Sequence, residues 1–146
     1  MKAILDKDNK IIRYEKSTST VGVDVSRLKS TSGLKTLLDI NKQLKLLDIR
    51  QNYQAKIDAI TAKYAPYEVE SFADQRAEWR AWHIDSTTPT PIVDALATAR
   101  GIDREVLLSK IGDNVLAITT IQGEQNALED RINACTTLEE LEAIVV

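Results

Sequence analysis

The sequence predicts a mainly α-helical protein: a small helical bundle with one long N-terminal helix and a short β-hairpin or extended arm ahead of it. Five glycines, three prolines and 5% aromatic residues in 146 residues are too few for the repeated turns of an all-β sandwich. Leucine, isoleucine, alanine, glutamate, lysine and arginine are frequent and favour helices. Apolar residues also recur at spacings of three and four over long stretches, which is the helical period.

Residues 1–33 are predicted to form an N-terminal arm. Residues 3–14 contain two short apolar runs around the turn-forming pair Asp8-Asn9, which indicates a small hairpin or an extended arm. Residues 17–33 are rich in serine, threonine, valine and glycine and have no helical period. We therefore expect a loop there, or an extended segment that becomes ordered against a partner.

Residues 34–66 are predicted to hold the long helix, which opens after Ser32-Gly33 and ends before Pro66. About 30 residues correspond to roughly 45 Å of helix. An apolar stripe at spacings of three and four changes register once, after Leu47, in the series Leu37, Ile40, Leu44, Leu47, Ile49, Tyr53, Ile57, Ile60 and Tyr64. The stripe permits two structures: a helix packed on its own domain, or a coiled coil of about four heptads in an oligomer.

Residues 67–146 are predicted to form a domain of shorter helices. Ser71 is a candidate N-cap for the first of these helices. Trp79 and Trp82 lie on one side of it, where they anchor a core or an interface.

Residues that start and end helices divide the middle of this domain into two helices. Pro91 suits the first position of a helix over residues 91–99, and Gly101 is expected to end that helix. Asp103 is a candidate cap for the helix that follows.

Two further signals lie nearer the C-terminus. The helix after Asp103 is predicted to bend at Gly112 or Gly123. A capping box formed by Thr137 and Glu140 opens a last amphipathic turn.

The net charge of −3 conceals an asymmetry along the chain. Residues 1–66 carry 13 lysines and arginines against 7 aspartates and glutamates, whereas residues 67–146 carry 6 against 15. The two halves can therefore attract one another, within one chain or between chains. An ordinary solvated surface is the alternative interpretation.

The sequence favours a protein that is made and used in water. No run of roughly 18 apolar residues occurs, and charges interrupt the N-terminus before a signal-peptide core. The single cysteine, Cys135, excludes an internal disulfide and is compatible with a reducing cytoplasm.

Residue types that carry out catalysis are scarce. The single histidine, His83, has no cysteine cluster or second histidine with which to bind zinc, and no acidic spacing fits a calcium loop. Nucleophile-elbow, Walker and dinucleotide motifs are missing from the sequence. Glu70, Asp74 and Glu78 share a helical side but alternate with arginines, so we expect a solvated charged face. We therefore expect a protein that is not an enzyme, without cofactor or metal.

Nucleic acid is not an expected partner either. The turn over residues 99–103 is similar to that of a helix-turn-helix, but the helix after it begins with Asp103, Arg104 and Glu105. A DNA-reading helix needs basic and amide side chains there. A DNA-binding regulator therefore ranks below the hypotheses of protein–protein contact.

Five segments together resemble a known family. They are Phe72-Ala-Asp-Gln75, Glu78-Trp-Arg-Ala81, Thr90-Pro-Ile-Val-Asp-Ala-Leu96, Ala99-Arg-Gly-Ile-Asp103 and Gly123-Glu-Gln-Asn-Ala-Leu-Glu-Asp130. In this order, over about residues 67–146, they resemble a small helical C-terminal domain of tailed-bacteriophage tail proteins, of the tail-fibre or tail-assembly type. A β-rich segment commonly precedes that domain, whereas a long helix does so here. The resemblance implies an interaction module and supplies no catalytic residues.

Two hypotheses follow from these observations. The first is a structural or accessory component of the phage tail, in the fibre or baseplate region, that contacts other tail proteins and itself as a homo-oligomer. It would be assembled in the host cytoplasm and reside in the virion tail. The second is a tail or tail-fibre assembly chaperone that is absent from the mature virion. Large apolar and aromatic residues dominate interface energies, so the interface candidates are Leu37, Leu44, Leu47, Tyr53, Trp79 and Trp82.

Overall fold

A computed structural model describes residues 1–16 and 21–146. Within these ranges the chain is mainly helical, as predicted, and a small antiparallel sheet lies near its N-terminus. Residues 17–20 of the predicted loop lie outside the described residues. The strands are β1 (Lys2–Leu5), β2 (Ile11–Glu15) and β3 (Val23–Asp24), and the helices are α1 (Leu37–Thr61), α2 (Pro66–Ile84), α3 (Pro91–Arg100), α4 (Arg104–Ala134) and α5 (Leu138–Glu142).

The chain divides into two compact units. The first comprises Met1–Tyr53 and Glu124–Val146, and the second comprises Gln54–Gly123. These limits differ from the predicted segments because α1 and α4 each contribute residues to both units. The division into an arm, a long helix and a helical domain stays a prediction.

The hairpin predicted over residues 3–14 is confirmed. β1 and β2 pair in antiparallel orientation around a short turn. In this turn the carboxylate of Asp6 accepts hydrogen bonds from the N–H groups of Asp8 and Lys10, each at 2.9 Å. Asn9 adopts a left-handed φ of 60°, which asparagine tolerates better than most residues.

β3 pairs with the other edge of β1, so the strand order is β2-β1-β3. It belongs to the segment predicted as a loop, or as an extended segment ordered by a partner, yet here it is ordered by its own chain. A strand of two residues is too short to show a period of two in the sequence. Val25, directly after it, is 2% exposed and joins Ala3 and Ile40 in a core between the sheet and α1.

α1 begins a few residues later than predicted, at a capping box. The hydroxyl of Thr36 accepts the N–H of Asp39 at 3.2 Å, and the carboxylate of Asp39 accepts the N–H of Thr36 at 3.0 Å. These bonds satisfy donors that the first helical turn leaves unpaired. Thr36, three residues beyond Gly33, is therefore the N-cap.

The buried residues of α1 lie on two opposite faces. Ile40 enters the sheet core and Leu44 packs against it, while Leu46, Ile49 and Tyr53 are buried as well. At roughly 100° per residue, Ile49 points roughly 180° away from Ile40. The register change in the apolar stripe therefore marks a change of face. In the first unit α1 therefore packs on its own chain through both faces, and the coiled coil in an oligomer stays a prediction.

Lysines of α1 bond to the ends of the C-terminal helices in the first unit. Lys42 Nζ donates to the carbonyl of Asn133 at 3.0 Å, and Lys45 Nζ donates to the carbonyl of Leu141 at 2.6 Å. A cation near the C-terminal end of a helix is favourable, because the last carbonyls carry partial negative charge. Two lysines of the basic half of the sequence thus contact backbone carbonyls of the acidic half within one chain.

α5 begins at the predicted capping box, which is confirmed in part. The hydroxyl of Thr137 accepts the N–H of Glu140 at 3.1 Å. The carboxylate of Glu140 reaches back to the N–H of Thr136, at 2.9 Å, rather than to that of Thr137.

α2 begins earlier than predicted. Its first helical residue is Pro66, whereas Ser71 was the expected N-cap. Ser71 lies inside the helix, where its hydroxyl donates to the carbonyl of Glu68 at 2.7 Å. Proline suits the first position of a helix, because the N–H groups of the first turn are unpaired in any case. α1 has already ended at Thr61.

α3 and the start of α4 confirm the predicted signals. Pro91 is at the start of α3, and Gly101 ends it in the left-handed conformation with φ 66°. The carboxylate of Asp103 accepts the N–H of Glu105 at 2.7 Å and so caps α4. α4 then continues as one helix through both glycines at which a bend was predicted. In the part of the chain that the structure describes, we find no helix long and apolar enough to cross a membrane.

Arg50 and Glu129 form an ion pair between α1 and α4 in the first unit. Arg50 Nε lies 2.8 Å from Glu129 Oε1, and the Glu129 side chain is only 18% exposed. The hydrogen bond from Arg50 holds the pKa of Glu129 below its ordinary value of 4.5, although burial opposes this shift. A hydrogen bond from Gln125 lowers the pKa of Glu129 further. The pair raises the pKa of Arg50 in turn.

We expect Glu129→Gln to lower the free energy of unfolding at neutral pH by about 0.5–1 kcal/mol, the upper range for a pair with one exposed partner. Because the folded-state pKa of Glu129 is depressed, its contribution is complete above pH 4.5 and is lost as the pH falls through the folded-state value. The difference between the wild-type chain and the variant should therefore shrink below pH 4.5. Urea unfolding curves of both proteins, recorded at several pH values above and below 4.5, measure this difference in the free energy of unfolding. An equal loss in the control Asp130→Asn, an exposed neighbour, would contradict a specific pair.

Candidate interaction groove

The core of the second unit forms where α2, α3 and α4 meet. Both tryptophans of α2 pack against this core and remain partly exposed. Trp79 and Trp82 are therefore edge residues of a core, and their additional role at an interface stays a prediction. The buried core residues are Val93, Ala97, Leu107, Leu108 and Ile111.

Gly112 lets α2 approach α4 closely. A Cβ added to this residue would lie 2.5 Å from Nε1 and 2.7 Å from Cε2 of Trp79, which is closer than real side chains come. The indole thus lies directly on the backbone of α4. The sequence indicated a possible bend at this glycine, whereas its role in the structure is to make room for the ring.

Glu78 caps α3 from the neighbouring helix. Its two carboxylate oxygens accept the N–H groups of Ile92 and Val93 at 2.9 and 2.8 Å. Those N–H groups have no partner inside the first turn of α3, and the helix dipole favours a negative charge there. The expectation of a solvated face is therefore wrong for Glu78, because α3 folds back onto α2.

Thr90 lies at the centre of a second polar cluster and is 1% exposed. Its hydroxyl donates to Asp94 Oδ1 and accepts from Arg104 Nε, each at 2.9 Å. Arg104 Nε also lies 2.8 Å from Asp94 Oδ1. The one basic residue at the start of the possible DNA-reading helix is thus bound within its own unit.

An open groove of about 340 Å³ lies between α2 and α4 in the second unit. Its apolar lining includes Val115 and Ile118, which are half-buried, whereas Arg80 is exposed. Residues at spacings of three and four share one side of a helix, so each helix contributes one continuous strip. The lining residues are Ala73, Arg76 and Arg80 of α2 and Val115, Ile118, Thr119 and Gln122 of α4.

Arg76 and Arg80 make the groove positive in the acidic part of the chain. Among residues 1–16 and 21–146, neither guanidinium group forms an ion pair or a hydrogen bond. The sequence showed these arginines only as interruptions of an acidic face. Their spacing from Ala73 did predict that the three residues share one side of a helix. The sequence did not predict which residues of α4 would lie opposite them.

The other interface candidates lie in the first unit. Leu44 packs against the sheet core, Tyr53 is 8% exposed, and Leu37 and Leu47 are half-buried. Leu44 and Tyr53 therefore belong to the packing of the first unit. The contact of these residues with a partner stays a prediction.

The single histidine packs against a tryptophan through its ring. His83 stacks on Trp79 with ring centroids 5.1 Å apart and an interplanar angle of 20°. Over the described ranges, we find no group of three histidine, cysteine, aspartate or glutamate side chains that could hold a metal ion. Cys135 is buried, and its Sγ donates to the carbonyl of Arg131 at 3.2 Å.

Comparison of the chain with protein-family models, with curated proteins and with solved structures found no match.

Gly112→Ala should lower the free energy of unfolding by about 1–3 kcal/mol, because the added methyl group overlaps the Trp79 ring. Gly123→Ala is the matched control, since it lies in the same helix and nothing lies within 4 Å of its added Cβ. There the better helix propensity of alanine should raise stability by up to about 1 kcal/mol. Urea unfolding followed by tryptophan fluorescence measures the free energy of unfolding of both variants. Effects of the same sign and size would disprove the close contact.

Glu78→Ala should lower the free energy of unfolding by about 1.5–3 kcal/mol, because hydrogen bonds to a charged acceptor at the start of α3 are lost. Glu70→Ala, an exposed position on the same helix, should change stability by less than about 0.5 kcal/mol. Amide hydrogen exchange gives a local readout, since the N–H groups of Ile92 and Val93 should exchange faster in the Glu78 variant. Unchanged exchange at both amides would rule out the capping role.

Proposed function

We propose that this protein is a non-enzymatic structural or accessory component of a bacteriophage tail, in the fibre or baseplate region, and that it works through protein–protein contacts. The groove supports contact as its mode of action. Half-buried Val115 and Ile118 lie beside two arginines that have no partner among the described residues. Such a surface holds a protein segment by apolar burial and by charge-assisted hydrogen bonds.

The assignment to a phage tail is supported by the resemblance of residues 67–146 to the helical domain of tail proteins. Two of the resembling segments have a joint physical role in this fold. Glu78 in one segment caps the helix that starts in the segment Thr90–Leu96. Under this proposal the partners are other tail proteins and a second copy of the chain, and the location is the virion tail, after assembly in the host cytoplasm.

A tail or tail-fibre assembly chaperone is the second candidate. The size of the groove favours it, because seven lining residues are few beside the roughly 20–30 residues that each side of a stable interface contributes. A small contact suits a client that is bound and later released.

We expect the chain in purified virions of the phage that encodes it, at a fixed ratio to the other tail proteins, by quantitative mass spectrometry. Detached tails and tailless heads, purified separately, are the controls and place it in one part of the particle. A chain that co-purifies with a tail protein from infected cells but is missing from virions is the chaperone. Absence from virions and from every complex with a tail protein would overturn both candidates.

A further inference from the structure

We propose that the groove binds a short acidic segment of a partner protein, one that presents two carboxylates and one or two aliphatic side chains. This inference rests on the proposed function as a protein-binding component and names the chemistry of the occupant. The charge of the groove, its apolar lining and its length each restrict what fits.

The charge requirement comes from Arg76 and Arg80. They are four residues apart on α2, so they lie on one side of the helix, on successive turns. Carboxylates three or four residues apart on a helical partner have the same spacing, and each can accept two parallel hydrogen bonds from one guanidinium group. One acidic segment therefore satisfies both arginines at once.

The apolar requirement comes from Val115 and Ile118. Both are half-buried, so a small additional cover removes the rest of their surface from water. A volume of about 340 Å³ accommodates only a few side chains. An aliphatic side chain placed between the two carboxylates would reach this lining.

The length requirement follows from the strip on α2. Residues 73–80 span roughly 10–12 Å of helix, so a partner helix of about two to three turns covers the groove. A longer nucleic-acid strand would also meet acidic side chains of the same unit, since residues 54–123 carry 10 aspartates and glutamates against 7 lysines and arginines. Phosphates are repelled there, and they make no use of an apolar lining.

A library of random peptides of about twelve residues, selected against the full chain, tests this inference. We expect enriched peptides to carry two aspartates or glutamates three or four residues apart, with leucine, isoleucine or valine between or beside them. The best peptide, fluorescently labelled, is then titrated into each variant at low and high salt. Binding should weaken as salt increases, because charge–charge contacts are screened.

The decisive variant is the double charge reversal Arg76→Glu with Arg80→Glu, which should weaken binding at least about tenfold. Lys63→Glu with Lys110→Glu is the matched control, because it makes the same charge change on exposed lysines of the same unit. A third variant, Thr119→Trp, fills the groove without changing charge and should weaken binding as well. Amide NMR spectra and melting curves confirm that each variant is folded.

Several results would overturn the inference: no enrichment, enriched peptides without carboxylates, or equal binding to the charge-reversed variant. Loss of duplex DNA binding in that variant would make nucleic acid the occupant instead. Self-association of the wild-type chain that the charge reversal abolishes and the peptide leaves intact would make a second copy the occupant. Peptide binding as expected, with the chain missing from tails and tail complexes, would overturn only the proposed function.

Discussion

The contact between Trp79 and Gly112 is the constraint on which the second unit depends. A ring lying directly on the backbone of α4 sets the spacing between α2 and α4, because no side chain separates them at that point. Glu78, the residue before the tryptophan, then caps α3 through Ile92 and Val93. The groove lies between the same two helices and is lined by Ala73, Arg76 and Arg80 on α2 and by residues of α4.

The first unit depends on a helix with two buried faces. Ile40 on one face of α1 packs with the sheet, and Ile49 on the opposite face is also buried. Cationic side chains of α1 then bond to the C-terminal helices, and one of these contacts is the ion pair of Arg50 with Glu129. The positive first half and the negative second half of the sequence thus meet within one unit of a single chain.

Polar side chains in the second unit fall into two groups: some connect helices, and others lie on the surface of the groove. Glu78, Thr90 and Arg104 all have partners that hold helices together. Arg76 and Arg80 have none among the described residues. Two cations without a partner among the described residues, beside half-buried Val115 and Ile118, are typical of a surface that recognises another protein. This is the physical basis for a function of contact.

The helical class, the end of α3 at Gly101 and the cap of α4 at Asp103 could be predicted from the sequence, and the hairpin around Asp8-Asn9 was one of two predicted alternatives. Those features depend on residues a few positions apart, so local backbone preferences and local hydrogen bonds are sufficient to specify them. Three features could not be predicted: Glu78 caps another helix, the apolar stripe of α1 has two buried faces, and Arg76 and Arg80 line a groove. Each of these depends on residues brought together from distant parts of the chain, and the spacing of residues along one helix carries no record of which helix will lie beside it.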